Sequence, residues 1–257
     1  MKVKITILGT GTSQGIPVIG SDHPVCLSKD PRDKRLRVSS AIEVEGKRFV
    51  IDCGPDFRQQ MLVNDINSFD ALLFTHEHAD HTAGLDDLRP FFFRQGAIQC
   101  YMSDRVHESL QERFRYMMTT TDKYPGVADL DVHIFDTDDF IVEGISITPV
   151  GADHGLLPVH GFRIGNLAYM TDVKTMKPAE KQKLLGLDVL IINALRYEAH
   201  RTHLNVEEAL ELVRELQPKR TYFTHISHHL GFHAEVEKSL PENVFLAYDN
   251  LQITTDS

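Results

Sequence analysis

The sequence predicts an α/β sandwich, with sheets inside and helices outside. Three observations lead there. Short runs rich in Val, Ile or Leu, bounded by Gly, Pro, Asp or Asn, alternate along the chain with stretches of helical periodicity. The strand-like runs outnumber the helical ones, and no Pro/Gly/Ser-rich linker, repeat or low-complexity tract divides them. A chain of 257 residues, 42% of them apolar, can build one substantial core, so residues 1–257 are expected to form one domain.

The strand candidates in order are Lys2–Leu8, Ala41–Glu45, Arg48–Asp52, Ala71–Phe74, Ile98–Met102 and Val132–Phe135. Phe140–Val150, Gly161–Ile164, Leu167–Thr171, Val189–Asn193, Thr221–Thr224 and Leu251–Thr254 follow. The helix candidates are Pro55–Asn64, Ala83–Arg94, Asp104–Met118, Lys177–Leu185, Asn205–Leu216 and His233–Ser239. The clearest is Asn205–Leu216, where Asn205 stands as a cap. Val206, Ala209, Leu210, Val213 and Leu216 then share one face. Met117–Val127, with Thr119-Thr120-Thr121 and Pro125-Gly126, is the expected mobile loop.

Composition narrows the function. Acidic residues exceed basic ones by 37 to 27, a net charge of -10, which disfavours a broad electrostatic grip on DNA or tRNA. Cys26, Cys53 and Cys100 are too few and too scattered for a disulfide framework, and free thiols fit a reducing compartment. The N-terminus reads as a strand, not a signal peptide, and no run approaches the roughly 18 apolar residues of a membrane span. A cytoplasmic protein without a membrane partner is expected.

The 14 histidines carry the chemistry. Phe69-Asp-Ala-Leu-Leu-Phe-Thr-His76-Glu-His78-Ala-Asp80-His81 is a buried strand followed by four potential metal ligands within six residues. In a loop or opening turn, His76 and His78 can face one way and Asp80 with His81 another, which suits two adjacent metals. Imidazole and carboxylate together favour Zn, Mn or Fe over Ca or Mg. The zincin pattern H-E-x-x-H does not apply, because position 80 is Asp.

Further ligand candidates stand at other strand ends. They are His154 in Gly151-Ala-Asp-His154-Gly155, Asp172 after Leu167–Thr171, and His225 after Thr221–Thr224. Asp52, after Val50-Ile51, is either a loop cap or a residue that orients a metal-bound histidine. The loop Gly9–Gly15 looks like a phosphate-binding loop but lacks its Lys, and it is read as a tight turn beside the site.

The H-x-H-x-D-H motif with single His, Asp and His downstream resembles the metallo-β-lactamase superfamily, from Leu8-Gly-Thr-Gly11 to Asn250-Leu251-Gln252. The resemblance implies an αββα sandwich with two divalent metal ions, Zn or Mn, at the edge between the sheets. It implies that His76, His78 and His154 bind the first, that Asp80, His81 and His225 bind the second, and that Asp172 bridges them. Gly9-Thr-Gly-Thr-Ser-Gln-Gly-Ile-Pro17, Asp172 and Thr224-His-Ile-Ser-His228 look most like the phosphodiesterase branch, which includes phosphoribosyl cyclic phosphodiesterases and tRNA 3′-processing endonucleases.

That branch implies attack on phosphorus by hydroxide held between the metals, with Asp80 steering the nucleophile and His203 donating a proton to the leaving oxygen. His200, three residues earlier, is the alternative donor. In phosphonate-pathway relatives a Cys-x-Cys-x-x-Cys loop and a later His hold a structural metal. Here the loop reads Ser21-Asp22-His23-Pro24-Val25-Cys26, so His23, Cys26 and His228 are candidate ligands for a structural Zn, completed by Asp22 or water. The other histidines His107, His133, His160, His229 and His233 fit no such pattern.

The expected substrate is a small cyclic or nucleotide-like phosphodiester. Arg32, Lys34, Arg35 and Arg37 form a basic group that either recognises phosphate or lies in a solvated loop. A thioester or lactone hydrolase on the same metals, a tRNA 3′-end endonuclease and a metal-dependent binding or sensing module are the competing readings. Self-association as a homodimer is left open.

Overall fold

The computed structural model describes residues 1–119, 123 and 125–256. Among these, two seven-stranded mixed sheets stack face to face. The first contains β1 (Val3–Gly9), β2 (Ser39–Val44), β3 (Lys47–Ile51), β4 (Ala71–Leu73), β5 (Ile98–Met102) and β6 (Leu130–Ile134). The second contains β7 (Phe140–Val142), β8 (Ile145–His154), β9 (Leu157–Ile164), β10 (Leu167–Tyr169), β11 (Val189–Asn193), β12 (Arg220–Thr224) and β13 (Val244–Leu246). A last strand, β14 (Gln252–Thr254), returns to the first sheet and pairs antiparallel with β1.

Alternation explains the layering. Ile5 and Ile7 of β1, Phe49 and Ile51 of β3, Phe162 and Ile164 of β9 and Ile191 of β11 meet in one core between the sheets. Each such side chain contributes about 1.5–3 kcal/mol by leaving water. The opposite faces are covered by helices. Phe57, Met61, Phe91, Val106 and Leu110 pack over Val50, Leu72 and Cys100 of the first sheet. The helix Val206–Leu216 lies over Leu190, Ile192 and Phe223 of the second. This is the expected αββα arrangement.

Several boundaries differ from the sequence reading for local reasons. Phe140–Val150 is broken by Glu143 and Gly144, both at positive φ (50° and 83°), into a two-residue hairpin turn that an apolar run conceals. The periodic stretch Asp104–Met118 splits at Phe114 (φ -120°, ψ 38°) into Asp104–Arg113 and Arg115–Met118. In Val206–Leu216 the fully buried face is Val206, Ala209, Leu212 and Leu216, while Leu210 and Val213 sit half-buried at its margin. Asn205 caps that helix in a reciprocal capping box with Glu208. Of the expected loop Met117–Val127, residues 120–122 and 124 lie outside the described residues.

β3 to β6 run parallel, as do β10 to β13. β8 is antiparallel to β9 and β9 to β10, so β8 points the same way as β10. Strands of each sheet therefore deliver their carboxyl ends to one edge, the usual location of a site in such sheets.

Candidate metal centre

Each ligand candidate stands at a strand end or in the turn that follows it. β4 continues through Phe74 and Thr75 into His76, and the chain then turns into the short helix Ala79–Thr82 with His78 at its cap and Asp80 and His81 within it. Thr82 Oγ1 donates to the His78 carbonyl at 2.8 Å, tightening the turn. Gly54, after β3, lets this turn approach: a Cβ there would lie 2.1 Å from the Asp80 carbonyl oxygen. His154 ends β8, Asp172 stands three residues beyond β10, and His225 directly follows β12. Asp52 (φ 63°), Asp172 (φ 58°) and His225 (φ 54°) all adopt the left-handed conformation that non-glycine residues avoid. The chain thus departs sharply from the pleat where it presents these side chains. Gly11 bridges to Ile226, which places the Gly9–Gly15 turn beside His225 as expected.

Asp172 is the hub. Its Oδ1 lies 3.1 Å from Nε2 of His225 and 3.1 Å from Nε2 of His203. Its Oδ2 lies 3.3 Å from Nε2 of His81 and accepts from Thr171 Oγ1 at 2.6 Å. Three triads of ligand atoms fall within 4.8 Å: His76 with His81 and Asp172, Asp80 with His81 and His225, and His154 with Asp172 and His203. The His78 ring is exposed and lies 4.7 Å from that of His76 and 5.3 Å from that of His154.

Three of the ring nitrogens facing away from the centre are held by protein, whereas Nδ1 of His225 is buried without a hydrogen-bond partner. Nδ1 of His81 meets Asp52 Oδ2 at 2.7 Å, Nδ1 of His76 meets Thr75 Oγ1 at 3.1 Å, and Nδ1 of His154 donates to the Thr202 carbonyl at 2.7 Å. Asp52 is itself fixed by the Thr75 backbone N–H at 2.9 Å and the Thr75 hydroxyl at 2.8 Å. By contrast Nε2 of His76, His81 and His225 are buried without a hydrogen-bond partner. Buried polar atoms rarely go unpaired, and these lie in groups of imidazole and carboxylate donors that fit cations. The donor set of imidazoles and carboxylates is compatible with Zn, Mn or Fe.

The electrostatics agree. Burial alone would lower His81, but Asp172, Asp52 and Asp80 outweigh it and hold the ring well above its ordinary value. Burial pulls His76 well below the ordinary range. Asp172 is fully buried, which would raise it, yet His225 and His81 hold it well below the carboxylate range. Burial lowers His203 to about 4, against the opposing hydrogen bond that its Nε2 makes to Asp172. Charge of both signs is packed into one dry spot, a pattern common at functional sites.

The structure brings together His76, His78, Asp80, His81, His154, Asp172, His203 and His225. It does not draw His23, Cys26 and His228 into a comparable set. Among the described residues, all three-ligand groups within 4.8 Å fall in the strand-end cluster. The rings of His23 and His228 are 5.0 Å apart edge to face, and Cys26 Sγ accepts the Val18 N–H at 3.5 Å. The basic group is occupied internally. Arg32 pairs with Asp30, Lys34 donates to the Cys26 carbonyl, and Arg37 pairs with Asp56. Arg35 is buried against Thr10, the Ala247 carbonyl and His233. Sequence reasoning did not single out Thr75, Thr202 or Asn193, whose amide clamps Val173 beside Asp172 through bonds of 2.7 and 3.0 Å. Asn193 carried a signal, being the polar end of the apolar run Val189–Asn193.

Residues 47–226 match the family model described as a beta-lactamase superfamily domain. The chain belongs to the beta-lactamase superfamily. A solved relative, a new diphosphatase from the PhnP family, superimposes with a TM-score of 0.92 at 37% identity, covering 99% of this chain and 97% of the other. An octanoyltransferase of Porphyromonas gingivalis is 37% identical over 257 residues, 99% of this chain. The chain spans about half that relative's length, 52%. A ribonuclease Z of Mycobacterium sp. (strain KMS) is 34% identical over 88 residues, 34% of this chain and 25% of its own. This superfamily member has the metallo-β-lactamase fold and candidate His/Asp metal-binding groups. Among the described residues no helix is long and apolar enough to cross a membrane.

Proposed function

We propose that the chain hydrolyses a small cyclic or nucleotide-like phosphodiester at a pair of divalent cations, Zn or Mn. One observation carries the reading. Asp172 lies among the candidate ligands of both cations, grouping within 4.8 Å with His76 and His81 and again with His154, while its Oδ1 is 3.1 Å from His225, the placement a bridging carboxylate would need. His76, His78 and His154 would hold one cation and Asp80, His81 and His225 the other. When bound, the pair supplies Lewis acidity that activates water and offsets charge on the phosphoryl oxygens.

The chain's own residues do the rest. Asp52 and the Thr202 carbonyl fix the rings of His81 and His154. Asp80, 13% exposed, reaches the mouth of the cluster and orients the attacking water. His203, at the edge of the cluster, gives a proton from Nε2 to the leaving oxygen, and an anionic ester beside the ring favours its protonated form. The 37% identical diphosphatase supports phosphoryl chemistry, whereas the ribonuclease Z likeness covers a third of the chain.

The octanoyltransferase relative favours a second reading, hydrolysis of an acyl ester or thioester at the same centre. Acyl transfer through a thiol finds little support, since Cys26, Cys53 and Cys100 are all buried and burial raises the Cys53 and Cys100 thiols. About half of that relative lies outside the match and is free to carry the transfer.

The test measures metal per chain and turnover in one sample, against bis-nitrophenyl phosphate, 2′,3′-cyclic, 3′,5′-cyclic and phosphoribosyl cyclic esters and an acyl thioester panel. Two equivalents of metal with chelator-sensitive phosphodiester turnover support the proposal. Thioester turnover alone favours the second reading, and metal binding without any hydrolysis favours a sensing module.

A further inference from the structure

We propose that His200 is a positioning residue that holds the ring of His203; the proposal rests on His203 being the proton donor of the reading above. Nδ1 of His200 lies 3.1 Å from Nδ1 of His203, with the rings 4.9 Å apart and inclined by 53°. A hydrogen bond between two ring nitrogens needs a proton on one and a lone pair on the other. The Thr202 backbone N–H donates to His200 Nδ1 at 3.3 Å, which marks that nitrogen as an acceptor. In the protonated form that acts as donor, His203 carries both N–H groups, so His200 receives Nδ1–H and Nε2–H faces Asp172 Oδ1 at 3.1 Å. The Thr202 hydroxyl, 3.3 Å from the first Nδ1 and 3.1 Å from the second, closes the group.

A second feature ties this group to the centre. The Thr202 carbonyl accepts from Nδ1 of the ligand candidate His154, and a Cβ on Gly155 would come within 2.9 Å of Thr202 Cγ2. The loop carrying His200 and His203 is thus seated directly on the hairpin that presents His154. The ring of His203 lies 4.4 Å from that of His154, edge to face, and 4.6 Å from that of His225, stacked. What those neighbours leave undetermined is which nitrogen points at Asp172. His200 decides it. The hydrogen bonds of His200 run to Thr202 and His203, so it acts through the second histidine.

The experiment compares leaving groups. His203→Ala, His200→Ala, His200→Asn and the double variant His200→Ala/His203→Ala are assayed on alkyl esters and nitrophenolate esters, with metal content and melting temperature measured alongside. Misplacing a catalytic group by about an ångström costs on the order of 100-fold. We expect His200→Ala to lose roughly 10- to 100-fold in kcat/KM on alkyl esters and little on nitrophenolates. His200→Asn keeps an acceptor near the Nδ1 position and recovers most of the loss. The double variant matches His203→Ala alone. Equal loss on both leaving groups, no recovery with Asn, or an additional loss in the double variant overturns the proposal. If His203→Ala itself lacks the leaving-group dependence, the proton-donor reading falls and this proposal with it. If His203→Ala shows it and His200→Ala does not, only the role of His200 falls.

Discussion

Nδ1 of His81 lies 2.7 Å from Oδ2 of Asp52, and neither side chain touches solvent. The carboxylate also takes both Thr75 donors, so its hydrogen-bonding capacity is committed to one ring and one loop. Asp52→Ala strips His81 of the partner that orients it. Metal retention in a chelator competition is expected to weaken by roughly 10- to 100-fold, the usual effect of losing such a partner. Unchanged retention would assign Asp52 to loop capping alone.

Gly54 faces the Asp80 carbonyl with no room for a methyl group. Gly54→Ala must push back the turn that carries Asp80 and His81. Overpacking of this kind costs about 1–3 kcal/mol. Denaturant unfolding should show that loss together with reduced metal content, whereas a stable, metal-replete variant would contradict the contact.

Asn205→Ala removes one side of the capping box with Glu208, whose two bonds are both 2.9 Å. The expected loss is about 0.5–2 kcal/mol, read as a lower urea midpoint at constant slope. Glu208 keeps its bond to Lys174, so the change should stay confined to the helix start.

Asp249 gives a pH dependence of defined sign. Burial raises its carboxyl to about 6, against hydrogen bonds from Thr10 and the Leu36 N–H and the charge of Arg35. The folded chain then binds this proton more tightly than the unfolded chain, whose value is near 4. The contribution favours folding below about pH 4 and declines as pH rises to about 6. Asp249→Asn abolishes that segment, and subtracting its urea midpoints between pH 4 and 7 from those of the parent isolates it. Parallel curves would refute the raised value.

Much of the centre is legible in the sequence because of its location at strand ends. His76, Asp172 and His225 are polar residues directly after apolar runs, and a buried strand can present such a residue only at its tip. The two-sheet fold follows from the same alternation. What is not legible is how the tips meet. That His203 shares Asp172 with His225, and that Thr202 seats His154, depends on contacts across 31 to 48 residues. His23, Cys26 and His228 show the converse limit: the two rings lie 5.0 Å apart, yet among the described residues the three side chains form no ligand group within 4.8 Å. The break at Phe114 was equally hidden, because helical periodicity carries no mark for a non-glycine kink.

His76 to His81 come from the first sheet's strands, whereas His154, Asp172 and His225 come from the second's. Neither layer owns a complete set of donors. Cations held there as proposed would clasp the seam, and their occupancy and the cohesion between the layers would form a single linked equilibrium, in which whatever tightens one tightens the other.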